Sequence, residues 1–361
     1  MRKYIDLLDR LIATPSVSRE EDATAALIES FLTAQGLTDV HRLHNNVWAK
    51  AAVWDDHKPT LLLNAHHDTV KPNPAYTRNP FEPTHEEGRI YGLGSNDDGA
   101  SLVSLIATFC HYYRKTLPFN LLLGLTAEEE VTGVNGSRAL VPYLIDHLSL
   151  RTSQLMAVVG EPTRMQAAIA ERGLLVLDGL ATGRAGHAAR NEGINALYIA
   201  LDDIQALRQY RFDRESEILG PIKVTTTQIN AGTQHNVVPA ECRFVVDVRT
   251  TDAYTNEEVV ELLQQAVQST LTPRSTHIRA SAVDRRHPLV QTAERIGIPL
   301  FVSPTTSDMT QMPFPSIKMG PGDSARSHTA DEWVGEQEIA DAIQQYIAFI
   351  ESLATNIINS K

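Results

Sequence analysis

Three short apolar runs each stop in ionisable residues: TLLLNAHHD at 60–68, NLLLGLTAEEE at 120–130 and LMAVVGE at 155–161. Runs of this length and character read as buried strands, and strands buried on both faces belong to a sheet covered by helices. The acids at their ends constrain the fold most. Carboxylates at close range repel, and burying one without a partner is expensive. Open α/β sheets gather such groups at the carboxyl ends of their strands. The triplet Glu128-Glu129-Glu130 has two readings: the solvated first turn of a helix, where the macrodipole favours acids, or the neighbourhood of a strongly positive group.

Strands and helices alternate up to about Glu171. Tyr4, Leu7, Leu8, Leu11 and Ile12 follow helical spacing, and GASLVSLIATFCHYY reads as a helix. Ser18-Arg19-Glu20-Glu21 has the form of a capping box opening a helix that ends near Gly36. NVWAKAAVW reads as a further strand. The middle of the chain differs. LLVLDGLATG, PIKVTTTQIN and ECRFVVDVRT alternate like half-exposed antiparallel strands, interleaved with the helical stretches NALYIALDDIQALRQY and NEEVVELLQQAVQSTL. From about 283 the pattern returns to helix and strand with PLVQTAERIG, PSIKMG and EQEIADAIQQYIAFIESLA. The expected fold class is α/β: a domain of 1–171 and 283–361 with a central mixed sheet flanked by helices, and a smaller α+β domain inserted at 172–282. At 361 residues the chain exceeds the size at which one core keeps growing, which agrees with two domains.

A formal net charge of −12 argues against nucleic acid or an anionic membrane as the main partner. A small anionic substrate stays open, because a local metal charge can override the global field. Cys110 and Cys242 have no CxxC spacing and point to core packing in a reducing compartment. Asp6, Asp9 and Arg10 interrupt the N-terminal apolar run, so no signal-peptide core forms, and no run approaches a membrane span. The expectation is a cytoplasmic protein.

Five short signals fall at or just after strand ends. In NAHHDTV, His66 and Asp68 share a face of the strand, so Asp68 can orient the imidazole, while His67 faces away. In YGLGSNDDGA, Gly92 and Gly94 allow a tight backbone before Asp97 and Asp98. The glutamate triplet is the third, Glu161 of VVGEPT the fourth, and His328 of GPGDSARSHTADEW the fifth. Taken singly, each has a bland alternative: a strand end, a helix N-cap, a loop acid, a solvated loop histidine. Together they place histidines and carboxylates at one sheet edge, a mixture that suits zinc or a similar catalytic metal. Adjacent glutamates can then divide roles, one ligating and one acting as general base.

At these residues the sequence resembles the dinuclear zinc hydrolases that include acetylornithine deacetylase, succinyl-diaminopimelate desuccinylase, aminoacylase and glutamate carboxypeptidase. The resemblance runs from IATPSVSREE to HTADEW with the motifs in the family's order. It implies two divalent metal ions, zinc with cobalt as the alternative: His66 and Glu161 on one, Glu130 and His328 on the other, Asp97 bridging. It implies Asp68 as the orienter of His66, Glu129 as general base, and a cis peptide after Asp97. GRAGHAARNEGINA matches the family's lid motif, with His187 polarising the scissile carbonyl, across a homodimer in dimeric members. GTQHNVVPAECRFVVDVR matches the lid strands, with Asn236 and Arg249 as substrate-binding or structural positions. Leu93, Asp98 and Gly99 stand where the family usually has Arg, Met and Lys, and Glu128 where it usually has Asp. The implied activity is hydrolysis of a small N-acyl amino acid, first N-acetyl-L-ornithine in arginine biosynthesis. N-acetyl- or N-succinyl-citrulline, a dipeptidase or carboxypeptidase cut, and a non-catalytic binding protein on the same fold are the alternatives.

Overall fold

The computed structural model describes residues 1–190 and 192–359. The three apolar runs lie side by side and parallel. Asn120–Thr126 pairs with Thr60–His66 from Thr60↔Asn120 to His66↔Thr126, and Thr60–His66 pairs with Leu155–Val159 from Thr60↔Leu155 to Asn64↔Val159. Ser316–Lys318 continues the parallel part beside Leu155–Val159. Antiparallel strands flank this centre: Asn46–Lys50 and then Val40–Leu43 on one side, Ala167–Glu171 on the other. The result is a mixed sheet flanked by helices.

Period-two alternation covers both faces of that sheet. Leu61, Leu63, Leu121, Leu123, Leu125, Met156 and Val158 pack with the helices Arg2–Ile12, Ala100–Tyr112 and Glu336–Asn359. Leu62, Leu122, Leu155, Ala157 and Val159 face the other way, towards Leu140, Val141 and Leu144 of the helix Ser137–His147. Each such leucine contributes roughly 1.5–3 kcal/mol by leaving water. The consequence for function is geometric. Because the central strands are parallel and in register, the residues after His66, Thr126 and Val159 emerge at one edge of the sheet.

The chain divides into two compact units: one of Met1–Ile169, Val283–Phe301 and the chain from Ser307, the other of Ala170–Ala282 and Val302–Thr306. The second unit has an antiparallel sheet in the order Lys223–Ala231, Glu241–Thr250, Gly173–Thr182, Thr270–Pro273. The helices Ala196–Gln209 and Asn256–Gln265 bury Ala196, Ala200, Leu207, Val259 and Leu263 against Leu175, Leu177, Phe244, Val246 and Val248.

Two local readings need correction. Ser18 is not a helix cap. The helix Asp22–Ala34 has Glu21 at its N-cap without a side-chain cap bond, and the Ser18 hydroxyl donates to Asp68 instead (2.7 Å). The stretch NEEVVELLQQAVQSTL is helical only through Gln265, and Thr270 and Leu271 already belong to the next strand.

Candidate metal centre

His66 closes its strand with Nε2 3.2 Å from Asp97 Oδ1. His328 Nε2 lies 3.0 Å from Glu130 Oε1 and 3.8 Å from Asp97 Oδ2. Ligand atoms of His66, Asp97 and Glu130 all lie within 4.8 Å of one another, and so do those of His66, Glu129 and Glu161. All six residues belong to the first unit. The Asp97–Asp98 peptide bond is cis, in the tight loop that follows Gly94, whose φ is +74°.

The glutamate triplet splits into one fastener, Glu128, and two residues whose carboxylates join the cluster, Glu129 and Glu130. Glu128, with φ +56°, is a fastener: its carboxylate accepts Asn135 Nδ2 (3.0 Å) and the Asn135 backbone N–H (3.3 Å). Gly133 makes room for it, since a Cβ there would meet Glu128 Oε2 at 1.9 Å. The Glu128 backbone N–H donates in turn to Glu21 (3.3 Å). Glu129 and Glu130 donate their backbone N–H groups to the two oxygens of Asp68, at 3.0 and 3.2 Å. Their carboxylates are left free to face the cluster. Asp68 is therefore more than an orienter of His66. The nearest acceptor for His66 Nδ1 is the Asp68 main-chain oxygen (3.0 Å), with the carboxylate at 3.4 Å. His67 faces away, buried between Thr24 Oγ1 and the Asn45 carbonyl, and burial pulls its pKa down to about 4.

The electrostatics fit a cation. Burial pushes Glu129 well above the usual carboxylate range, and Glu161, Asp308 and Glu130 add to this against the pull of His66. Burial does the same to Glu161, with Asp97 and Asp98 adding and Lys318 opposing. Burial works against a charged His66, yet hydrogen bonds to Asp68 and Asp97 and the charge of Glu129 hold its pKa well above the ordinary value. The hydrogen bond to Glu130 raises His328 to about 9. Protons on the imidazoles and carboxyls thus offset a crowd of negative charge that a divalent ion would offset instead. Four carboxylates and two imidazoles, with oxygen and nitrogen donors at overlapping spacings, match the ligand chemistry of zinc and its neighbours.

His187, Asn236 and Arg249 belong to the second unit. The two-residue strand Gly186–His187 pairs with Val237–Val238, and the Ala188 N–H donates to the Asn236 carbonyl (3.0 Å), so His187 and Asn236 share one exposed hairpin-like ladder. Arg249 lies on Glu241–Thr250 and is held by Asp247 of the same strand at 2.9 and 3.1 Å. Asp308 was not legible in advance. It is buried between Ser137 Oγ (2.5 Å) and Thr126 Oγ1 (2.6 Å), bracketing the segment that carries the triplet. Its only sequence signal is an acid in the polar loop TTSDMT.

Residues 62–352 match the model of peptidase family M20/M25/M40. The chain belongs to this family. As an M20 member it is a metal-dependent amidohydrolase. In an alignment of 363 positions that covers 92% of each chain, it is 27% identical to acetylornithine deacetylase from Edwardsiella ictaluri. Over 269 residues, 71% of this chain and 67% of the other, it is 26% identical to succinyl-diaminopimelate desuccinylase 2 from Ruegeria sp. (strain TM1040). Among solved structures the M20 fold is matched by the aminopeptidase PepT from Bacillus cereus, with TM-score 0.76, 19% identity and 98% of both chains covered. A dinuclear metal-binding peptidase of Bacillus subtilis matches with TM-score 0.72 and 17% identity over 98% of this chain and 97% of that one. Among the described residues no helix is long and apolar enough to cross a membrane.

Proposed function

We propose that this chain hydrolyses the amide bond of a small N-acylated amino acid, and that the substrate is N-acetyl-L-ornithine, giving L-ornithine and acetate in arginine biosynthesis in the cytoplasm. The observation that carries the reaction class is the pair of overlapping donor sets around His66, with the Glu129 carboxylate inside one of them. The end-to-end similarity to an acetylornithine deacetylase supports the substrate. The similarity to a desuccinylase favours, as the second reading, a succinylated amino acid such as N-succinyl-citrulline.

Two divalent ions, zinc by donor chemistry, would suit the cluster: His66 and Glu161, whose donor set Glu129 shares, would hold one, Glu130 and His328 the other, and Asp97 would serve both. Bound there, they supply Lewis acidity that polarises the amide carbonyl and acidifies water. Glu129 takes the proton of the attacking water and returns it to the leaving amine; Asp68 fixes its backbone for that task (3.0 Å). His187 donates to the carbonyl oxygen as negative charge develops there, a role worth several kcal/mol when the donor is held about 3 Å away. Asn236 and Arg249 bind the amino-acid part of the substrate.

His187 reaches that position from a second copy, in a homodimer formed through the inserted unit. Supporting this, Lys223–Ala231 is an edge strand of its sheet, and Ile229 on it and Tyr198 and Leu201 on Ala196–Gln209 are exposed apolar side chains. A deacylation screen with zinc or cobalt over N-acetyl-L-ornithine, N-acetyl-L-citrulline, N-succinyl-L-citrulline and N-succinyl-diaminopimelate tests the substrate. Highest kcat/KM on N-acetyl-L-ornithine is expected. Preference for a succinyl compound selects the second reading, and turnover of none of the four rejects both.

A further inference from the structure

Glu332 has no part in the chemistry above, yet its side chain is 2% exposed and both carboxyl oxygens are in use. Oε1 accepts the backbone N–H groups of Asn96 and Asp97, both at 2.9 Å, and Oε2 accepts that of Gly94 at 3.1 Å. The Glu332 main-chain oxygen accepts a fourth, from Gly92 (3.0 Å). One residue thus gathers the N–H groups of the loop that presents Asp97. A second hook joins the same two segments: Asn96 exchanges hydrogen bonds with the Asp323 backbone, at 3.1 and 2.9 Å. Four residues before Glu332 on the same short segment stands His328.

From this arrangement we infer that Glu332 is a positioning residue for the metal centre: it fixes the Asp97 carboxylate relative to His328, and so sets the spacing of the two metal positions. Asp97 lies 3.2 Å from His66 but 3.8 Å from His328, so the contact on the His328 side has the less slack to lose. A carboxylate suits the role because it is purely an acceptor and can take three N–H donors on two oxygens. An amide turns a donor towards one of those N–H groups, and an alkyl side chain leaves all three unpaired in a buried site. The inference rests on the two-metal reading.

The test is a competition titration of the metal-free protein with Co2+ against a chelator, following the visible spectrum, for wild type, Glu332→Gln and Glu332→Asp, alongside thermal melting of each metal-free form. Expected for Glu332→Gln is a first ion bound within about threefold of wild type and a second weakened about tenfold or more, with kcat falling and KM nearly unchanged. Glu332→Asp, which keeps the carboxyl group but draws the loop back, is expected to weaken the second ion as well. Wild-type binding of both ions by these variants, or failure of both to fold, would assign Glu332 to stability alone and overturn the inference. A wild-type protein that takes up no metal defeats the two-metal reading and this inference together, and is distinguished by the wild-type arm of the same titration.

Discussion

Glu128, Glu129 and Glu130 are adjacent and identical, and their variants are expected to fail in three different ways. Glu129→Gln should cut kcat by roughly 10²–10⁴ while leaving metal content near that of wild type, because it removes a proton carrier. Glu130→Gln should lower metal content, read by elemental analysis, because its carboxylate faces His328 at 3.0 Å. Glu128→Ala should retain the chemistry but destabilise the fold by about 1–3 kcal/mol in denaturant melts, since it strands the donors of Asn135. If Glu129→Gln loses metal and Glu130→Gln keeps it, the roles are exchanged. The histidines give a pH signature. In the metal-free protein His328, raised to about 9, keeps its proton at neutral pH, so an ion must displace it. Apparent metal affinity should therefore rise with pH and level off above about 9, with protons released to an indicator dye. The sign for folding is opposite. A raised histidine pKa stabilises the metal-free fold fully below the ordinary value of about 6.5, and that contribution is lost as pH rises through about 9. Metal affinity that is flat between pH 6 and 9 would contradict both. His66, Glu129, Glu130 and Glu161 were legible as candidates in sequence because each sits where an apolar run stops, whereas Asp97 and His328 stand in glycine-containing loops. The fasteners were not, because Glu21 meets the triplet from 107 residues away and Asp308 meets Thr126 and Ser137, on either side of the triplet, from 182 and 171 residues away, and nothing local in their own segments marks those contacts.

At the scale of elements, the register of three parallel strands explains why separate motifs meet. His66 is level with Thr126, and Asn64 with Val159, so a short extension of each strand delivers its acids to the same edge. The segments after those strands are held by polar clasps rather than by helix caps. Asp308 joins the end of Asn120–Thr126 to the first residue of Ser137–His147. Asp308→Ala should cost about 1–3 kcal/mol of stability by leaving the buried Ser137 hydroxyl without its acceptor, while Thr126 Oγ1 keeps the Ala65 carbonyl at 3.1 Å. Gly133→Ala should loosen the triplet loop from the other side, because its Cβ would collide with Glu128. Urea melts of both variants check this, and wild-type midpoints would refute the clasp. Apolar periodicity read the strands and most helices well. It misread Ser18, whose spacing to Glu21 fits a capping box while its hydroxyl is spent on Asp68, a partner 50 residues along the chain. It also ran a helix through 266–271, where the apolar pattern continues but the chain turns into an edge strand.

For the whole molecule, the proposed sharing of His187 makes the active form a dimer. Subunit exchange between inactive His187→Ala and inactive Glu129→Gln proteins should restore activity, since the mixed dimer holds one site with an intact Glu129 and a His187 from the other chain. Exchange shown by mass spectrometry with no recovered turnover would rule out the sharing. The acidity of the whole chain, net −12, is no obstacle to an anionic substrate if the centre carries the local positive charge. That local charge is the centre of the account, and one titration reaches it most directly. Metal-free protein is loaded stepwise with Zn2+ while acetate release from N-acetyl-L-ornithine is followed. Turnover should be absent without metal, rise with added zinc and level off at about two ions per chain, on the ligand count proposed for the site. Turnover unaffected by zinc, or a fully loaded protein that releases no acyl group from any of the acylated amino acids, would contradict it.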